Sequence, residues 1–146
     1  MNYEDYEKAC DSIRHENAAL LGIFENYLAD KGLSQKTISR HVGNVDFYIN
    51  DYLLYDDVRT IEDGVSRVDD FLGYFFIRKC MWSTPGTIKS TAASIKKFYK
   101  CMADKDKISK DDYDYLCRVI KDNMSEWQSD CAQYNDPDAP SPFSFF

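Results

Sequence analysis

The chain has 146 residues, with 25 acidic and 18 basic side chains and a formal charge of −7. That length fits one domain and allows about two-thirds of the unfolded surface to be buried. A hydrophobic share of 44% with 11 Tyr, 9 Phe and 2 Trp excludes a disordered polymer. The longest apolar runs, such as Phe71 to Ile77, fall short of the roughly 20 residues that a membrane-spanning helix needs.

The charged start "MNYEDYEKACDSIRHENA" does not read as a secretory signal, so a cytoplasmic protein is expected. Cys10, Cys80, Cys101, Cys117 and Cys131 form no C-x-x-C pair, which suits reduced structural thiols without metal. No cofactor is expected.

Apolar residues recur near every 3.6 positions and no period-two alternation is sustained, which predicts an all-α fold of five helices in a compact bundle. The first helix spans about Tyr3 to Lys31, with Tyr6, Cys10, Ile13, Leu20, Phe24 and Leu28 on one stripe. The pattern allows a break near Asn17, and Gly32 is placed to end the helix. Ser34 is a good cap for the second helix, whose apolar face is Ile38, Val42, Val45, Ile49 and Leu53.

Thr60 and Asp63 predict the start of a third helix carrying Ile61, Val65, Val68, Phe71, Leu72 and Phe75, with the far end "FFIRKCMW" buried. Thr84 caps the fourth, which has Pro85 in its first turn and continues to about Met102. The fifth starts at Ser109, with Asp111 and Asp112 near its positive end, and buries Tyr113, Leu116, Ile120, Met124 and Trp127. One domain is expected over 1–134. Beyond it, 135–146 reads as a tail whose prolines forbid a regular helix, either disordered or laid along the body through Phe143, Phe145 and Phe146.

The charges are segregated. Lys31 to Val45 holds three basic residues and no acid, and Phe76 to Ala103 holds six and no acid, leaving nine basic residues against all 25 acids elsewhere. On the fourth helix Lys89, Lys96 and Lys100 form a stripe beside the buried face, with Lys97 farther round. Ala93 and Ser94 keep the surface between them low, so a phosphate backbone can approach closely, with Ser90 and Ser94 as auxiliary contacts.

On the second helix, Lys36, Arg40, Asn44 and Phe47 fall on the face away from the core stripe. Thr37 and His41 add hydrogen-bonding groups near its start. Such lysines ordinarily form just a solvated face. Ordinary faces, however, intersperse both signs, as this chain does in "EDYEK" and "RVIKD".

Two stretches carry a family pattern: "FENYLADKGLSQKTISRHVGNVDFYINDYL" (Phe24 to Leu53) and "VDDFLGYFFIRKCMWSTPGTIKSTAASIKKFYKCM" (Val68 to Met102). With Leu28, Gly32, Leu33, Ser34, Thr37, Ile38 and His41 in the first, and Val68, Phe71, Leu72, Thr84, Thr87, Ile88, Ile95, Phe98 and Tyr99 in the second, the chain resembles the N-terminal core-binding domain of tyrosine recombinases and phage integrases. The resemblance implies a small orthogonal helical bundle, often called SAM-like, that grips duplex DNA during recombination and integration. It places the DNA-facing residues on the second and fourth helices.

Nothing in the sequence supplies that family's catalytic domain, since neither His15 nor His41 begins an H-x-x-R element. Hydrolase and nucleotide-binding loop signatures (G-x-S-x-G, G-x-x-x-x-G-K-[ST], G-x-G-x-x-G) do not occur. The expectation is therefore a non-catalytic DNA-binding module using Lys36, Thr37, Arg40, His41, Asn44, Lys89, Ser90, Ser94, Lys96, Lys97 and Lys100. The alternative is an interaction module on the same fold that has lost DNA binding, with a recombinase or a second copy, held through the tail, as partner.

Overall fold

A computed structural model describes residues 2–138, all of whose regular elements are helical. The long elements are α1 (Tyr3–Asp30), α2 (Gln35–Asp46), α6 (Pro85–Asp104) and α7 (Lys110–Asn135), with short helices α3 (Ile61–Gly64), α4 (Val68–Asp70) and α5 (Phe76–Lys79) between α2 and α6. Widened π turns continue α2 through Phe47–Tyr52 and join α4 to α5 through Phe71–Phe75. The expected all-α bundle is observed. The second and fourth predicted helices are α2 and α6.

Helix starts follow their caps. Ser34, Thr84 and Ser109 accept the backbone N–H of Thr37, Thr87 and Asp112 at 3.3, 3.0 and 3.0 Å, satisfying donors that a helix leaves open at its first turn. Thr60 and Asp63 make the reciprocal capping box ahead of α3. Gly32 follows α1 with φ +82°, the left-handed conformation that glycine tolerates best. α1 runs unbroken past Asn17, whose buried amide donates to the Ile49 carbonyl (3.3 Å) and to Asn50 (2.8 Å).

The third predicted helix is corrected. Instead of running on from Thr60, it ends at Gly64, and Val65, Ser66 and Arg67 form a tight turn of i to i+3 bonds before α4 starts. Tertiary hydrogen bonds explain the break: Tyr48 Oη donates to the Gly64 carbonyl at 2.5 Å, and Tyr99 Oη to the Ile61 carbonyl at 2.7 Å, so side chains take acceptors that a continuous helix would use. The chain also approaches closely here, because a Cβ at Gly64 would collide with the Tyr99 hydroxyl. The far end of "FFIRKCMW" is corrected too. Phe76, Ile77 and Cys80 are buried, but Met81 is fully exposed and Trp82 60% exposed, since they lie in the turn that reverses the chain into α6.

The core lies where α6 meets α1, α2 and α7. Phe24 of α1 sits edge-on to Phe98 of α6 at 5.4 Å, and Ile88, Ala92, Ile95, Phe98, Tyr99 and Met102 bury the inner side of α6. α6 packs against α2 on one side and α7 on the other, leaving only its outer ridge to solvent. Buried Trp127 ties α7 to α4 by donating to Asp69 Oδ1 at 2.7 Å. Cys10, Cys80, Cys101 and Cys131 are buried, and burial pushes the Cys80 and Cys101 thiols up to about 11, where they stay protonated. No described helix is long and apolar enough to cross a membrane. The Phe residues of the predicted tail lie outside the described residues.

Candidate nucleic-acid interface

The outward ridge of α6 follows from its own periodicity. With Ile88, Ala92, Ile95 and Tyr99 turned inward, the exposed positions are Gly86, Lys89, Ala93, Lys96, Lys97, Lys100 and Asp104. Four of these seven are lysines and one, at the far end, is an acid. Lys36 and Arg40 are likewise exposed on α2.

α2 and α6 run antiparallel, since His41 meets Ser94 while Phe47 meets Trp82, just before α6 begins. Their basic surfaces are therefore neighbours. Arg40 and Lys97 both lie close enough to His41 to perturb it, which places cations from the two helices around one point.

Among the described residues, Lys36, Arg40, Lys89, Lys96 and Lys97 have no carboxylate partner within ion-pair distance. Lys100 does have one: its ammonium lies 3.3 Å from Asp104 one helical turn on. Burial favours the neutral form of the Asp104 carboxyl, but hydrogen bonds from Lys100 and Tyr27 and the charges of Lys100 and Lys31 outweigh it. The group ends below the ordinary aspartate range. Lys100 thus contributes less free charge to the ridge than the other lysines.

Three predicted contact residues turn inward instead. His41 is 4% exposed and Ser94 fully buried, with His41 Nδ1 2.7 Å from Ser94 Oγ. Asn44 Nδ2 donates to the same oxygen at 3.0 Å, and Ser94 Oγ donates to the Ser90 carbonyl at 3.2 Å. Ser94 Oγ has one proton and takes its other contacts as an acceptor, so the tautomer of His41 sets which of the two donates across the 2.7 Å contact. These residues join α2 to α6 and set the spacing of the two basic surfaces. Ser90 lies half-buried at the edge of this tie. Phe47 is also corrected, packing against Phe71, Phe75 and Trp82 at ring distances of 5.9 to 6.4 Å. Thr37 is half-buried and bonds Ser34 within the α2 cap.

The buried histidine gives the tie a pH dependence. Burial lowers its pKa from 6.5, and the charges of Arg40 and Lys97 lower it further. The unfolded chain therefore takes up a proton at a pH where the fold still resists it. His41 contributes its full stability above about pH 6.5 and loses it as pH falls toward the depressed folded value. In urea titrations at about pH 7.5 and 5.5, wild type should lose stability on acidification, and His41→Gln should lose measurably less. Equal acid sensitivity in both proteins would refute this assignment.

The structure adds cations that the sequence pattern did not assign to the site. Lys31, at the end of α1, joins Lys96, Lys97 and Lys100 around a cleft beside α6. Arg118 and Lys121 of α7 share a second hollow with Lys96. Only the packing of α7 on α6 brings them there, although the i, i+3 spacing of 118 and 121 was visible. Arg78 and Lys79, also in the acid-free window, are engaged over Tyr74 and Tyr55 rings at 4.1 and 5.8 Å. No family model, curated protein or solved structure matches this chain.

Proposed function

We propose that the chain is a non-catalytic duplex-DNA-binding module that lays the outer ridge of α6, with Lys36 and Arg40 of α2 beside it, along the phosphate backbone. The observation that carries this reading is the composition of that ridge: four exposed lysines with a single acid at its end, in a chain of net −7. From Lys89 to Lys100 the ridge extends about 16 Å at 1.5 Å per residue. That exceeds the roughly 12 Å width of a major groove, so one helix can reach phosphates on both walls. The acidic remainder does not cancel this locally, because charges beyond about 8 Å are largely screened at physiological salt.

The test is fluorescence anisotropy with a duplex of about 25 base pairs across a salt series. If about four to six phosphates are neutralised, log affinity should fall with log salt at a slope of roughly −4 to −5. A slope near zero, or no binding at low salt, overturns the reading.

A second reading, an interaction module on the same fold, draws on the exposed Met81 and Trp82 beside Phe47. It predicts a partner whose binding is lost in Trp82→Ala and is insensitive to salt.

A further inference from the structure

The cleft beside α6, about 420 Å³ in volume, combines an apolar interior with a cationic lining. Its floor is Leu28, Leu33 and Ala93. Tyr27 and Tyr113 wall it, and Lys31, Lys96, Lys97 and Lys100 line it with four ammoniums. Each tyrosine ring carries one of these cations: Lys31 Nζ lies 4.9 Å from the Tyr27 centroid and Lys100 Nζ 5.6 Å from that of Tyr113. Tyr27 Oη is anchored by donation to Asp104 Oδ2 at 3.1 Å, which fixes that wall.

The geometry points to a binding site for a free nucleoside triphosphate, its base on the Leu28, Leu33 and Ala93 floor between the tyrosines and its phosphates held by the four lysines. This does not rest on duplex binding. A bare inorganic anion would use the lysines and leave the apolar floor wet, whereas an uncharged ligand would leave the charges of Lys96 and Lys97 uncompensated. A ligand that is flat and apolar at one end and multiply anionic at the other satisfies both, and the volume lies within the roughly 300 to 1,000 Å³ of small-molecule sites. Asp104 subtracts one charge from four and leaves a positive surplus. Burial first, then its bond to Asp104, pushes the Tyr27 phenol up to about 12, so the tyrosine wall adds no negative charge.

Isothermal titration calorimetry of the full chain with ATP, and with inorganic triphosphate at matched ionic strength, tests this. ATP should bind at least about tenfold more tightly than triphosphate. Ala93→Leu, at an exposed helical position where leucine is well tolerated, fills the floor without changing charge. It should weaken ATP about tenfold or more while leaving triphosphate binding within about twofold. No ATP binding at about 1 mM, triphosphate binding as tightly as ATP, or an Ala93→Leu variant that binds ATP like wild type would each overturn the site. The duplex salt slope is measured separately, so failure here leaves that reading standing, and the reverse.

Discussion

Trp127→Ala is expected to cost about 3–5 kcal/mol of folding stability, read as a lowered urea midpoint at unchanged slope. Trp127 is 1% exposed and among the largest fully buried side chains, so truncation opens a void that its neighbours cannot all close. They are tightly placed: a Cβ at Gly73 would lie 2.9 Å from two ring atoms, so the indole already occupies the space a side chain there would need. The indole N–H bond to Asp69 contributes less, because Asp69 is exposed and water can replace the donor. Trp127→Phe separates the terms. It keeps most of the apolar contact and should lose only about 1–2 kcal/mol. If the alanine variant lost no more than the phenylalanine one, cavity formation would not be what makes this position matter.

Reversing Lys89, Lys96 and Lys97 to Glu together should make the salt slope of duplex binding shallower by about three, since each lost phosphate contact removes about 0.9. Affinity at low salt should fall by about a hundredfold or more, the three new carboxylates repelling the backbone as well as failing to bind it. Lys100 is not included because Asp104 already pairs with it, and its replacement would leave that carboxylate without its ion pair. All three substituted positions are exposed and, among the described residues, make no ion pair, so thermal stability should hold. A triple variant with the wild-type slope would show that the α6 ridge does not meet phosphate, whatever else binds DNA.

Much of this ridge could be read from the chain alone. The 3.6-residue spacing of Ile88, Ala92, Ile95 and Tyr99 dictates that Lys89, Lys96, Lys97 and Lys100 face outward together, and the structure exposes all four. The caps at Ser34, Thr84 and Ser109 were legible for the same reason, since a cap bond spans three residues. Asp104 stood one residue beyond the acid-free window, at the i, i+4 spacing that pairs it with Lys100, so that ion pair is a local feature.

His41, Asn44 and Ser94 show where such reading stops. Each has the polar chemistry of a surface contact, yet all three meet in one buried or half-buried network joining residues about fifty positions apart. The break at Gly64 has the same origin, because tyrosines at 48 and 99 take hydrogen-bonding roles that helix propensity cannot anticipate.

Sequence by itself thus determined the helical class, the starts of the long helices and the outward ridge of α6, because these depend on neighbours within one or two turns. Tertiary structure decided which flanks adjoin: it set α2 beside α6 through His41 and Ser94, brought Lys31 and the Arg118–Lys121 flank to the same surface, and enclosed the cleft between Tyr27 and Tyr113. Those outcomes depend on packing between distant segments, where burial and shape select one arrangement among many that the same periodicity allows.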